Sequence, residues 1–212
     1  RERWYPEDSS PVSKKIVVNI AGYELKAFQG NQLAFSCKAI VGKPSRPTPI
    51  FKSDLVNLVI NPVWHVPKTI LENDKLPALA QDPSYAERHG FTVLDENGIE
   101  VDPYTVDWQT NGALYKMEQK PGESNALGTI RFTLDNVNNQ GMNSNDGIYM
   151  HGTPQKKLFQ RVSRSLSSGC IRLDDPLGAA GWVVSQTDPE EEEEAQEEIL
   201  NVNFSNDASP PS

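Results

Sequence analysis

The first third of the chain reads as strand. Ile16-Val17-Val18-Asn19-Ile20, then Tyr23 to Phe28, then Gln32 to Val41 are rich in β-branched, aromatic and alternating apolar positions. Gly30-Asn31 between the last two predicts a hairpin turn. In Leu33-Ala34-Phe35-Ser36-Cys37 every second residue is apolar, so Cys37 is expected to be a buried strand residue. A bend at Pro44, Pro47 and Pro49 leads into Leu55-Val56-Asn57-Leu58-Val59-Ile60, whose apolar density predicts a strand buried on both faces.

From Pro62 to Gly122 short helical signals replace the strands. Asp82-Pro83 with Gly90 predicts a two-turn helix, with a capping carboxylate, proline in the first turn and glycine as terminator. So long an excursion between strands is expected to be an inserted lid or binding element. Strand character returns at Leu114 to Glu118, Thr129 to Leu134 and Gly147 to His151. Asp135 to Asp146, with five asparagines, reads as a surface loop. Thr153-Pro154 and Asp175-Pro176 predict helices over Gln155 to Gln160 and to about Val184, which puts His151 at a strand end and Cys170 between two helices.

At 212 residues the chain can bury a sizeable core. Nine of its 29 acidic residues follow Gln186, leaving 20 acidic against 20 basic side chains before it. A neutral body with an acidic tail argues against nucleic acid as a partner, since phosphate binding needs a cationic face. The run from Glu190 to Glu194 and the Pro210-Pro211 end predict a disordered tail. Neither a membrane-spanning run nor a signal-peptide pattern opens at Arg1, so any anchor or targeting segment is expected outside these residues. Cys37 and Cys170 are too few for a disulfide scaffold, and His65, His89 and His151 have no paired metal-ligand spacing; neither a metal nor another cofactor is expected.

The chemistry concentrates in Tyr149-Met150-His151-Gly152-Thr153 and Ser167-Ser168-Gly169-Cys170-Ile171-Arg172. A thiol attacks as thiolate, so a catalytic cysteine needs a base or a positive influence beside it. His151 is the candidate base. Small residues before Cys170 allow a sharp turn that aims the amides of Ser168, Gly169 and Cys170 at one oxyanion. Taken singly, each feature has an ordinary reading: a turn before a buried cysteine, or a structural histidine.

In combination they resemble the L,D-transpeptidase catalytic domain, the YkuD family, in which His-Gly-Thr precedes Ser-x-Gly-Cys-x-Arg. Val18-Asn19-Ile20, Ile40-Val41-Gly42-Lys43-Pro44 with Thr48-Pro49, Asn61 to Pro67 and Asn125-Ala126-Leu127-Gly128 extend the resemblance over roughly residues 14 to 185. They look like landmarks of the larger Gram-negative members with a capping insertion. Where many members carry histidine before the Gly-Cys pair, this chain has Ser168.

The resemblance implies a mostly β, sandwich-type fold with short helices. It implies a linker over 1–13, a catalytic domain over 14–186 with a capping insertion at about 66–122, and a tail from 187. Cys170 would be the nucleophile, His151 its base, and the Gly152 carbonyl the holder of the imidazole tautomer. Arg172 would orient the oxyanion loop or a substrate carboxylate, or else pair with Asp174 or Asp175. Tyr149 and Trp64 would wall the cleft, or simply pack. The implied reaction joins diaminopimelate residues of peptidoglycan tetrapeptide stems with release of D-Ala, in the periplasm of a Gram-negative cell, and carbapenems would acylate the same thiol. A Cys/His hydrolase acting as an L,D-carboxypeptidase, and a non-catalytic wall-binding module, are the competing readings.

Overall fold

The computed structural model describes residues 14–135 and 147–185. The predicted linker, most of the asparagine-rich loop and the acidic tail lie outside them. Eleven strands carry the fold among the described residues. These are β1 (Lys14–Asn19), β2 (Glu24–Gln29), β3 (Gln32–Gly42), β4 (Leu55–Ile60), β5 (Trp64–His65), β6 (Phe91–Leu94), β7 (Lys116–Gln119), β8 (Ile130–Leu134), β9 (Tyr149–His151), β10 (Ser165–Ser167) and β11 (Ile171–Leu173).

The main sheet runs β1-β2-β3-β11-β9-β8-β4, with β10 attached to β3. Its hinge is the long strand β3. Residues 32–38 of β3 pair with β2, whereas Ala39 and Ile40 pair with β11 and Val41 and Gly42 with β10. The two halves bury one shared core, in which Leu25 and Ala39 meet Ile130, Phe132, Met150, Ile171 and Leu173. Helix Pro176–Val184 adds Ala179, Ala180 and Val184 to that core, and its first turn is capped by the Asp175 side chain, which accepts from Gly178 N. The fold is mostly β, with short helices.

Residues between β4 and β8 build a second, three-stranded sheet in the order β5-β7-β6 with its own apolar cluster: Leu71, Leu79, Phe91, Val93, Trp108 and Met117. Of its three strands the sequence pattern suggested only β7, read as Leu114 to Glu118; β5 and β6 are too short to show a period. Asn125 ties this unit to the main sheet. Wholly buried, its Nδ2 donates to the carbonyls of Pro62, Gln119 and Lys120, while its Oδ1 accepts from Leu127 N.

Four expectations are corrected. β4 is an edge strand and Val56 on it is 59% exposed, because only β8 flanks it. Leu114 lies outside β7 in a short 3-10 turn and is exposed. The segment after Thr153-Pro154 is a 3-10 helix, Lys156–Gln160, with Thr153 Oγ1 accepting from Gln155 N at 3.3 Å. Cys170 sits between strands β10 and β11, whose three-residue length hid them in the sequence. Cys37 is on β3 as predicted, but half-buried, with its thiol pushed up to about 11, foremost by burial.

Candidate active site

Alternation on three neighbouring strands separates a core face from a polar face. Phe132, Met150 and Ile171 stand side by side in register and all belong to the core. One residue on, Arg131, His151 and Arg172 form the next row, with His151 in the middle. Their side chains therefore lie on the opposite face. Tyr149 shares that face, opposite Thr133. Cys170, immediately before β11, continues the parallel register to Tyr149, and the Tyr149 backbone hydrogen-bonds its sulfur.

His151 is 5% exposed, and its Nδ1 contacts the Gly152 carbonyl at 2.5 Å. That bond makes Nδ1 the protonated nitrogen in the neutral ring and Nε2 the unprotonated one. Gly152 is held from behind. Its N–H donates to Ile130 O at 2.9 Å, and Gly128, at φ +66°, lies so close that a Cβ there would come 2.6 Å from Thr153 N. The Asn125-Ala126-Leu127-Gly128 turn thus cradles His-Gly-Thr.

The loop before Cys170 is pinned by side-chain hydroxyls. Ser167 Oγ donates to Cys170 O at 2.5 Å and accepts from Gly169 N at 3.2 Å. Thr48 Oγ1 accepts from Gly42 N and donates to Gly169 O at 2.6 Å. Gly169 adopts φ +122°, where side chains are rarely accommodated. Because Ser167 takes the Gly169 amide, that amide is engaged in the resting loop, unlike the free oxyanion donor expected. The exposed Ser168 hydroxyl accepts from Arg46, whose guanidinium also forms two hydrogen bonds to Asp74 of the second unit. Arg46 and Asp74 are neighbours of this loop that the sequence reading did not name, and Ser167 had stood out only as part of the motif before Cys170. Thr48-Pro49 had stood out only as part of the family pattern.

Electrostatics set the resting protonation. Burial, helped by the Arg172 cation, lowers His151 to about 4, against the opposing carbonyls of Gly152 and Leu127. Burial raises Cys170 above its ordinary value, only partly offset by the Tyr149 backbone and Arg172. Both shifts favour a thiol and an imidazole that are each neutral at rest.

Arg172 reaches Gln155 Oε1 at 3.0 Å, and neither Asp174 nor Asp175 is its partner. Tyr149 lies under the Arg131 guanidinium, 5.1 Å from its ring centre. Trp64 packs in the second apolar cluster against Phe91 and Lys75, away from this row. A cleft of about 310 Å³ opens beside Gly152 and Thr153, walled by Gly128, Lys156 and Asp174, and its lining does not include Cys170. Among the described residues, no group of three His, Cys, Asp or Glu side chains could hold a metal ion.

The family model of the L,D-transpeptidase catalytic domain, YkuD, matches residues 13–191. The chain belongs to the YkuD family. A Haemophilus influenzae protein named "Putative L,D-transpeptidase" is 39% identical over 176 residues, covering 79% of this chain and 34% of that relative. The chain thus spans about a third of the length of the curated relative it matches. A solved L,D-transpeptidase from Mycobacterium smegmatis is similar over 82% of this chain and 54% of its own, at 16% identity and a TM-score of 0.42. YkuD proteins are, as a family, cysteine-dependent transpeptidases of the cell wall. No helix among the described residues is long and apolar enough to cross a membrane.

Proposed function

We propose that this YkuD domain crosslinks peptidoglycan through a Cys170 thioester. The observation that carries the reading is the juxtaposition of the Cys170 sulfur with the strand bearing His151, whose Nδ1 is held by Gly152 O so that Nε2 is left to act as the base. Cys170 adds to the carbonyl joining diaminopimelate to the terminal D-Ala of a tetrapeptide stem, as Nε2 takes the thiol proton. His151 then returns that proton to the departing D-Ala amine, leaving an acyl thioester. The side-chain amine of a neighbouring diaminopimelate attacks the thioester, His151 accepts its proton, and the thiol is regenerated.

The amides of Ser168 and Cys170 are the oxyanion donors in this scheme, with Gly169 joining only if Ser167 releases it. Arg172 lowers the basicity of the resting imidazole and places a cation beside the developing negative charge. Tyr149 offers a ring for the peptide to lie against. The setting proposed is the periplasmic wall of a Gram-negative cell, with any membrane anchor supplied by chain outside residues 1–212.

Purified tetrapeptide muropeptides analysed by mass spectrometry test this reading. Loss of D-Ala with formation of a crosslinked dimer is expected. D-Ala loss without any dimer would make the domain a carboxypeptidase, and turnover unchanged in Cys170→Ala would overturn the nucleophile.

A further inference from the structure

Three buried side-chain atoms among the described residues have no hydrogen-bond partner: Arg131 Nε, Thr133 Oγ1 and Arg172 Nε. All three belong to the polar face that carries the active site. Arg131 and Arg172 flank His151 in one row across β8, β9 and β11, and Thr133 follows beside Tyr149 in the next. Three orphaned polar groups scattered through a fold would be incidental strain. Gathered on one face around His151, they are polar groups that a ligand on that face could engage.

Among the described residues no carboxylate pairs with either guanidinium. Arg172 Nη1 donates to the neutral Gln155 amide, and Arg131 rests its guanidinium over the Tyr149 ring. Both side chains are partly buried with their Nε atoms shielded from water, and an anion on this face would give those donors a partner. A guanidinium presents a planar fork of donors that matches a carboxylate with two parallel hydrogen bonds, and a threonine hydroxyl adds a third donor.

We propose that Arg131, with Thr133 and Arg172, forms a carboxylate subsite beside His151 that selects peptides by a free carboxyl group near the bond being broken. The subsite rests on the transpeptidase reading for the identity of that peptide. It goes beyond that reading in making Arg131, on a strand remote in sequence from both motifs, a determinant of specificity. A tetrapeptide stem offers two carboxyl groups, one on the terminal D-Ala and one on the diaminopimelate side chain. An anion there would also offset the Arg172 cation, the charge that lowers His151, so a bound substrate would make its base more basic.

The test measures binding to full-chain Cys170→Ala, which cannot turn over, by calorimetry with three synthetic tetrapeptides: the free acid, its terminal amide, and its diaminopimelate side-chain amide. One amidation is expected to weaken binding at least about tenfold, the scale of a lost charge-assisted pair, and which one does so identifies the carboxyl group. Adding Arg131→Gln should abolish that preference, and Arg131→Lys should retain part of it, as a packing role would not. Equal binding of all three peptides, or a preference that survives in Arg131→Gln, overturns the subsite. Should Arg131→Gln fail to fold, Thr133→Val decides: a reduced preference supports the subsite and a full one opposes it. Wild-type protein assayed with the same peptides separates the two proposals. Acyl-enzyme formation without carboxyl preference refutes the subsite alone, whereas preference in binding without any adduct on Cys170 refutes the transpeptidase reading alone.

Discussion

Replacing Thr48 with valine should both destabilise the domain and slow its chemistry. Thr48 is 6% exposed, and its hydroxyl joins Gly42 N at 2.9 Å to Gly169 O at 2.6 Å. Valine keeps the shape and removes both bonds. Each buried backbone group left without a partner costs about 1–3 kcal/mol, so the pair amounts to roughly 2–6 kcal/mol. In a chain of this size 1 kcal/mol shifts Tm by about 2–4 °C, which predicts a fall of roughly 4–24 °C. The chemical effect arises because Gly169 sets the direction of the Cys170 backbone; a loop freed by even 1.4 kcal/mol of misplacement loses about tenfold in acylation rate. Thermal unfolding by circular dichroism reads the first quantity and single-turnover acylation the second. Thr48→Ser keeps the hydroxyl and should recover most of both. A valine variant melting within about 1 °C of wild type and acylated at the same rate would show that this bridge does not hold the nucleophile's loop.

Acid should weaken the fold through His151. The unfolded imidazole takes a proton near 6.5 and the folded one near 4, so this contribution is complete above about pH 6.5 and is lost as pH falls toward 4. At about 1.4 kcal/mol per pH unit the loss is roughly 3 kcal/mol. Urea denaturation of wild type and His151→Gln at several pH values checks it, and equal acid slopes would contradict it. Gly169→Ala combines a strained φ with a Cβ 3.1 Å from Ile148 Cδ1, so acylation should fall at least about tenfold while Gly30→Ala, whose Cβ meets nothing within 4 Å, leaves it unchanged. A carbapenem should add its full mass to wild-type protein and nothing to Cys170→Ala; an adduct on both would place the reactive group elsewhere.

Strand periodicity revealed β1, β2 and most of β3 because those strands are long and half-buried, so the alternation had room to repeat. It failed for β5, β10 and β11, which have two or three residues and are held by neighbours remote in sequence. The local geometry around the candidates His151, Gly152 and Cys170 was legible because adjacent residues set it: a carbonyl one residue from the ring, a glycine before the thiol. Arg46, Asp74 and Thr48 were not, since each acts through a partner at long separation, as with Thr48 and Gly169 across 121 positions. The protonation of the pair was equally hidden. Sequence names a histidine and a cysteine, but burial leaves both neutral at rest, with the Arg172 cation adding to that effect on His151 and opposing it on Cys170.

The most direct measurement is intact-protein mass spectrometry of the domain quenched in acid within seconds of mixing with a tetrapeptide stem. A covalent species equal in mass to the protein plus the stem minus D-Ala, mapped by digestion to the peptide containing Cys170 and lost in Cys170→Ala, is the predicted result. Turnover of the stem without any such species on Cys170, or an equal adduct on the alanine variant, would contradict it.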